Sequence, residues 1–579
     1  MQLLEPGALD RLDPSGYDVV VVGAGCAGLA TALMSAQRGA RVLVLEHTDL
    51  VGGTTAWSAG TCWIPGSHLG ASVNPQDSIE AAGRYLDAAV GDRSDPALRH
   101  AFLSAGASVV AELESSSLVR FRAYPRHPDY LSELPGSTLC GRALEPLPFD
   151  GRLLGRLFRA LRPPIPEFTV LGGMMVDRTD IGHLLAARKS LSSMRHAFRI
   201  VGRHLLDRTR YPRGTRLVMG NALVGRLLAS LARHAGVTLA LNATVMSICR
   251  GVGPSPMASQ ITVSQGGQTA QVTVRRGLVL AGGGFNQHAG LRTTLLPGVE
   301  PAWFAGPPGH TAALHELIGG LGARLGTGSA SPAFWAPVSV RRRPDGSQAV
   351  FPHFVMDRAK PGVVAVNQLG ERFVNESTSY HLFGLAMQRA TPSGVGVPAF
   401  LVCDARALRQ YGLGMVRPGG RGLEPFIEDG YLVQAPTLQE LAHRLGVPAD
   451  RFCAAMVRFN QHAGRGHDPD YGRGTTAYAQ HLGDPTWPGP NPNLGPVTEP
   501  PYYAVRLYPG DIGSATGWMV DGNARLLDTS GEPLPGLYAV GNDQDSIMGG
   551  VYPAPGITLG PALVFAGLAA RHLMGGPAP

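Results

Sequence analysis

The sequence predicts an α/β protein in which one parallel sheet is assembled from both ends of the chain and an α+β domain is inserted between them. Three stretches predict it. Residues 17–46 read YDVVVVGAGCAGLATALMSAQRGARVLVLE, a strand, a glycine turn, a helix and a second strand. GLVLAGGGFNQ (Gly277–Gln287) is another buried strand running into glycines, and GLYAVGND (Gly536–Asp543) is a third. The expected division is 1–303 and 505–579 for the first domain and 304–504 for the insert. A length of 579 residues exceeds one simple domain. With 44% hydrophobic and 16% charged residues the chain is globular rather than disordered. Its 77 glycines and 47 prolines are scattered without a repeat, which excludes collagen-like and low-complexity structure.

The first stretch carries the most chemistry. Asp18 precedes Val19–Val22, the unbroken apolar run of a parallel strand covered on both faces. Gly23, Gly25 and Gly28 then stand in G-x-G-x-x-G spacing. Gly23 makes the tight turn, Gly25 admits a pyrophosphate to the backbone, and Gly28 lets the helix pack on the strand. The helix start around Ala27 offers free N–H groups and a positive dipole end to phosphates. Glu46 ends the second strand, where an acid binds ribose hydroxyls and disfavours a 2′-phosphate. FAD or NAD is therefore expected rather than NADP. A lone glycine motif is weak, but strand, glycines, helix, second strand and acid agree on a Rossmann-like dinucleotide site.

The next segment selects FAD. VGGTTAWSAGTCWIPGS (Val51–Ser67) is a glycine- and hydroxyl-rich loop where an NAD dehydrogenase would continue into an ordinary βαβ unit. It resembles the segment that wraps the pyrophosphate and flavin in fumarate reductase-like flavoproteins, whose first domain is of the discontinuous glutathione reductase type. The resemblance implies cofactor contacts from Gly53, Thr54, Thr55, Ser58 and Gly60. It extends them to Val245, Gly282, Gly283, Gly541, Asn542, Gly556, Thr558 and Leu559. Succinate dehydrogenases and quinol fumarate reductases carry a flavin-linking histidine in this loop. Gly52–Ala56 has none, so the FAD is expected to be noncovalent.

The insert opens with GPPGHTAALHELIGGLGARLG (Gly306–Gly326), where His310-Thr311-Ala312 departs from the NTGDG-type stretch of the resembling proteins. GERFVNESTSYHLFG (Gly370–Gly384) follows. Arg372, Asn375 and Glu376 read as a polar turn pinning the insert to the first domain, and a continuous helix would put Glu376 and Tyr380 on one face. By its own surroundings Tyr380 is equally well a core tyrosine with a satisfied hydroxyl. The densest punctuation comes last, in GNDQDSIMGGVYPAPGITLGP (Gly541–Pro561), which sets Tyr552 between a Gly-Gly pair and a Pro-Ala-Pro-Gly hook.

Together these motifs resemble the 3-ketosteroid dehydrogenase-type flavoproteins of the succinate dehydrogenase/fumarate reductase superfamily, over essentially the whole chain. The resemblance implies that the Tyr552 hydroxyl and the Gly556 N–H bind a substrate carbonyl. It makes Tyr380 the base that removes the α-proton and implies a second tyrosine assisting it. Asp129-Tyr130 matches that helper, and Tyr124 is the alternative. The implied activity is 1,2-dehydrogenation of a 3-ketosteroid. The implied partners are a steroid or other hydrophobic ketone and an external, quinone-like electron acceptor. Fumarate reduction is disfavoured because no arginine lies between Gly541 and Pro561 to clamp a dicarboxylate. A 4-ene dehydrogenase of 5α-3-ketosteroids would carry serine two residues after the hook tyrosine, where this chain has Ala554. Other ketone desaturases stay open, since a fold does not fix a substrate. A flavin-bearing binding protein without turnover would have no use for both tyrosines and the hook.

The formal charge is +7, and Lys189 and Lys360 are the only lysines. The arginine bias fits a GC-rich bacterial genome. A basic cluster between Arg152 and Arg216 has no nucleic-acid module beside it. It reads either as a solvated helical face or as an amphipathic surface for a membrane or partner. Cys26, Cys62, Cys140, Cys249, Cys403 and Cys453 form no C-x-x-C pair, which argues against a metal site or disulfide framework and fits a reducing cytosol. The N-terminus shows no secretory h-region, and no apolar run reaches the roughly 18 residues of a spanning helix. The expected location is cytoplasmic, at most peripheral to a membrane.

Overall fold

The computed structural model describes residues 1–5, 7–251, 258–343, 345–354, 357–390 and 394–576. Its larger sheet begins with β1 (Gln2–Leu4), β2 (Tyr17–Val22), β3 (Val42–Leu45), β4 (Val237–Ala240), β5 (Ala243–Arg250), β6 (Ala258–Gln265) and β7 (Gln268–Leu280). They lie in the order β1-β4-β3-β2-β7-β6-β5. From β1 to β7 the pairs are parallel, and β5, β6 and β7 form an antiparallel meander. β7 changes neighbours along its length: Gln268–Thr273 pair with β6, and Gly277–Leu280 run parallel to β2. Every residue of β3 is buried, as a parallel strand covered on both faces requires.

The inserted sheet contains β8 (Ala333–Arg342), β9 (Gln348–Pro352), β10 (Val363–Val366), β11 (Ala399–Asp404), β12 (Val433–Ala435) and β13 (Tyr502–Ser514), all antiparallel. Their order is β9-β8-β13-β11-β10, with β12 beside β13. The period of two divides its apolar residues between two cores. Val363, Ala365, Leu401 and Val505 face one way, and Val364, Val366, Phe400 and Ala504 the other. The division at 504 runs through β13, whose residues up to Ser514 pair with β8. At the other end, Ala323 and Leu325 bridge to Asp528 and Trp518, so this part of the 306–326 segment lies against the C-terminal segment.

The chain then returns as β14 (Arg525–Leu527) and β15 (Pro533–Ala539), which joins the larger sheet parallel to β7. The final helix, Leu559–Leu573, packs on the helix Cys26–Gln37, and both are buried along almost their whole length. The two chain ends therefore close one core. The site lies where the loop after β15, the start of the final helix and the insert meet.

The turn at 372–376 corrects one expectation. Arg372 pairs with Glu376 and with Asp468, and Asn375 donates to the Gly472 carbonyl, so the turn ties the insert to itself rather than to the first domain. Glu376 also precedes the helix, which starts at Tyr380. Its carboxylate is committed to Arg372 and Arg473 and does not share a face with Tyr380.

Candidate active site

The three glycines of the first turn are glycines for different reasons. Gly23 has φ +109°, and a Cβ there would run into the Ala281 carbonyl; a Cβ on Gly28 would run into the carbonyl of Gly23. Gly25 has an ordinary φ of −77°, and a Cβ would meet no protein atom within 4 Å. The protein itself does not need glycine there, and the open space against the turn leaves room for a bound group. The helix beginning at Cys26 has no side-chain N-cap, which leaves N–H groups free for phosphate oxygens. Glu46 is pinned at the end of β3: one carboxylate oxygen accepts from Ala24 N–H at 2.9 Å, the other from the Thr48 N–H and hydroxyl at 2.9 and 2.8 Å. A dinucleotide fits this cradle.

The remaining predicted cofactor positions fall into three groups. Gly53–Trp57 form one short turn, in which the Thr55 hydroxyl accepts from Cys26 N–H and Thr54 meets His310 Nε2 at 2.7 Å. Ser58 and Gly60 bond within the same loop and brace it. Gly282, Gly283 and Gly541 stand across from it. The N–H groups of Gly282 and Gly284 both donate to the Asp543 carboxylate, at 2.6 and 2.8 Å, while Gly541 lies against Ala27. Asn542 and Thr558 line a cleft with Phe334 and Ser514, and Leu559 opens the final helix. Val245 is a core residue of β5 paired with Val263. His310, the departure noted in the sequence, joins the two glycine loops. Its Nδ1 meets the Pro307 carbonyl and its ring lies against Gly283. Burial holds it neutral, down at about 4.

Beside the cleft the structure brings Tyr130, Tyr380 and Tyr552 together from three distant segments. The Tyr130 hydroxyl donates to the Tyr380 hydroxyl at 3.2 Å. The Tyr552 ring stacks on Tyr130 at 5.9 Å and stands edge-on to Tyr380 at 5.1 Å. Tyr380 begins its helix, so its ring sits at the positive dipole end. Burial pushes the phenols of Tyr130 and Tyr380 well above the ordinary tyrosine value, and that of Tyr552 upward as well. Gly556 has φ +86°, and a Cβ would strike the Thr61 carbonyl, so this position of the hook requires glycine. Tyr124 lies elsewhere, under the guanidinium groups of Arg122 and Arg178.

Residues that the sequence did not single out hold this cluster in place. The Pro553 carbonyl accepts from the Tyr85 hydroxyl (2.6 Å) and from Tyr130 N–H (2.7 Å), which fastens the hook to the Asp-Tyr segment. Trp63 N–H donates to the Gly556 carbonyl, and its indole N–H donates to Asp129 at 2.9 Å. Asp129 also pairs with Arg142 at 2.9 Å, while burial pushes its carboxyl up to about 6. Tyr478 and Phe354 complete the apolar wall, 4.6 Å from Tyr130 and 5.0 Å from Tyr380. Asp129 beside Tyr130 and Pro553 in the hook are visible in the sequence; Trp63, Tyr85, Arg142, Phe354 and Tyr478 are not singled out there.

The FAD binding domain family matches residues 18–559, from the first strand to the start of the final helix. The chain belongs to that family. Two relatives sharpen the comparison. It is 35% identical to the 4-oxocyclohex-2-ene-1-carboxylate 5-dehydrogenase of Sinomonas cyclohexanicum, over 96% of this chain and 93% of that protein. It is 34% identical to the 3-oxosteroid 1-dehydrogenase of Mycobacterium tuberculosis (strain ATCC 25618 / H37Rv), over 96% and 98%. The crystal structure of 3-ketosteroid delta1-dehydrogenase from Sterolibacterium denitrificans, in complex with 1,4-androstadiene-3,17-dione, superposes with a TM-score of 0.89. It is 33% identical and covers 96% of this chain and 99% of its own. The protein is thus an FAD-dependent oxidoreductase similar to the 3-oxosteroid 1-dehydrogenases, with the Rossmann-like fold expected from its sequence. The FAD would be held by the turn at Gly23–Gly28, by Glu46, and by the loops at Gly53–Gly60, Gly282–Gly283 and Gly541–Asn542.

Proposed function

We propose that this protein removes two hydrogens from the carbons next to a ring ketone, with a 3-ketosteroid desaturated at its 1,2 bond as the principal substrate. The meeting of Tyr130, Tyr380 and Tyr552 carries the reading. The Tyr552 hydroxyl and the Gly556 N–H are two donors for the carbonyl oxygen, where enolate charge develops as the α-proton leaves. Such preorganised donors contribute about 3–4 kcal/mol each to lowering a barrier. Tyr380 takes the α-proton, and Tyr130, which donates to its oxygen, favours the deprotonated form. Bound FAD supplies the acceptor for the β-hydrogen as hydride, at its N5. Phe334, Phe354 and Tyr478, whose rings pack against the three tyrosines, exclude water and suit an apolar ring system. Ala554 in the hook favours 1,2- over 4,5-desaturation. The FAD would be held without a covalent link, since no histidine stands at 52–56, and its electrons would pass to an external acceptor, quinone-like in character.

A monocyclic oxocyclohexane carboxylate is the second reading, favoured by the Sinomonas relative. Anaerobic bleaching of the flavin separates them, using a 4-ene-3-ketosteroid, its 5α-reduced analogue, 4-oxocyclohexanecarboxylate and succinate. Rapid bleaching by the first supports the steroid reading; bleaching by the carboxylate alone replaces it.

The Arg-rich segment supports peripheral membrane contact. No helix among the described residues is long and apolar enough to cross a membrane. The helix Leu191–Asp207, however, buries Ile200 and His204 and turns Leu191, Phe198, Leu205 and Leu206 outward, each more than 60% exposed. Arg195 and Arg199 flank this stripe, the arrangement of a helix lying in an anionic lipid surface. Flotation with anionic vesicles, lost in Phe198→Asp with activity retained, is the expected outcome; equal flotation of that variant contradicts it.

A further inference from the structure

Behind the tyrosines lies a cation that the proposed reaction does not use. Arg358 is fully buried. Its Nε donates to the carbonyls of His353 and Phe354 at 2.9 and 3.1 Å, and Nη2 donates to Phe354 at 2.6 Å. Nη1 donates to the carbonyls of Glu376 and Thr378, at 2.6 and 2.7 Å. Every hydrogen-bond partner of the side chain is a main-chain carbonyl, the guanidinium lies 5.4 Å from the Phe383 ring centre, and Arg358 forms no ion pair among the described residues. The two other arginines under 2% exposed are neutralised, Arg142 by Asp77 and Asp129, and Arg473 by Glu376. Carbonyl dipoles solvate a guanidinium but do not cancel its charge, and an unbalanced buried charge is costly.

The position of that charge is informative. Thr378 stands two residues before Tyr380, and Phe354, whose carbonyl the guanidinium holds, lays its ring edge-on against Tyr380 at 5.0 Å. Other groups around Tyr380 are neutral or already paired. His381 is held neutral by burial, down at about 4, and Tyr130, Tyr478 and Tyr552 are phenols. Burial opposes ionisation of Asp357, but His353 and the N–H groups of Gly414 and Arg358 hold its carboxylate down at about 2. Glu376 is paired with Arg372 and Arg473. The Asp357 carboxylate favours the charge of Arg358 without forming an ion pair with it, and a phenolate in the tyrosine cluster would be a further anion acting on it. The guanidinium favours ionisation of Tyr130 and Tyr478; burial opposes its own charge, and ionised Tyr478, Asp357, Tyr130 and Tyr380 favour it.

We infer that Arg358 is the fixed positive charge that stabilises the Tyr380–Tyr130 phenolate, a positioning residue that acts through the tyrosine and sets the pH range of proton abstraction. This rests on Tyr380 being the base, and it answers how a buried phenol can serve near neutral pH.

The test is the pH profile of anaerobic flavin reduction by a 4-ene-3-ketosteroid in the FAD-loaded protein and in Arg358→Gln and Arg358→Lys. The glutamine variant is expected to move the rising limb upward by at least about one pH unit, so that its deficit is about tenfold at neutral pH and shrinks as pH rises. The lysine variant should restore most of the shift. A uniform loss with an unmoved profile would make Arg358 merely structural and overturn the inference. If the glutamine variant does not fold, two measurements decide. One is the lysine profile. The other is an optical phenolate titration of wild type, lysine variant and Tyr380→Phe. The earliest-titrating phenol should vanish in Tyr380→Phe and titrate later in the lysine variant than in wild type; an identical titration in the lysine variant and wild type overturns the inference. The titration needs no turnover, so it is read separately from whether Tyr380 is the base.

Discussion

The glycine turn at 23–28 and the tyrosine cluster make opposite use of the chain. The turn is written within six consecutive residues, acts through main-chain atoms, and fails when a side chain is added. The cluster draws on residues 130, 380, 478 and 552, acts through hydroxyl groups, and fails when an oxygen is removed. Its rings touch only because β8, the hook and the Asp-Tyr segment are packed together by unrelated contacts such as Tyr85 on Pro553. Damage to the turn should therefore cost fold or cofactor, and damage to the cluster should cost rate or ketone binding while fold and FAD content are kept.

Within the turn the glycines should themselves separate, and here the largest effects are expected. Gly28→Ala forces a Cβ into main chain and should yield little soluble protein. Gly25→Ala meets no protein atom, so the apoprotein should keep its stability within about 1 kcal/mol while losing FAD. Thermal melts with flavin absorbance check both; an FAD-saturated Gly25→Ala protein would remove the argument for that cradle.

Tyr552→Phe belongs to the other class. Losing one of two carbonyl donors should lower the rate of flavin reduction by about 10²–10³ and weaken ketone binding, with FAD content unchanged. A rate within a few-fold of wild type would assign the carbonyl to other donors. Glu46→Ala should be milder: the fold survives and FAD is lost on dilution, which fluorescence of the filtrate measures. Full retention would count against Glu46 as the ribose acid.

The smallest effect concerns His310, which bridges the two glycine loops. Its folded value of about 4 lies below the ordinary 6.5, so between these limits the unfolded chain binds the extra proton and stability falls as pH drops. Each unit of displacement is worth about 1.4 kcal/mol. His310→Gln should flatten the decline of melting temperature from pH 6.5 to 4; an unchanged slope would place the dependence on other histidines.

The same contrast explains what was legible in the sequence. The parallel strands, the glycine turn and the position of Glu46 could be read because their geometry is local and steric. The hook could be read as a rigid device, since Pro553, Pro555 and Gly556 restrict the backbone wherever the chain folds. Tyr380 could be placed only by resemblance, because nothing in its neighbourhood distinguishes a base from a core phenol. The misplaced role of Arg372 and Glu376 has the same origin: a polar turn suggested a tie to the first domain, but Asp468 and Arg473, about a hundred residues on, take those charges into a buried network within the insert. Tyr85, Tyr478 and Arg358 carried no local signal, since their roles come entirely from what they meet in the fold.

Tyr380 carries the proposed reaction most directly. In Tyr380→Phe the ring, its volume and the carbonyl donors remain, and only the hydroxyl that receives the α-proton is gone. Mixed anaerobically with a 4-ene-3-ketosteroid, this variant should still bind the ketone and shift the flavin spectrum, without bleaching on the timescale of wild type. Bleaching at the wild-type rate would contradict proton abstraction by Tyr380, and with it the mechanism proposed for this site.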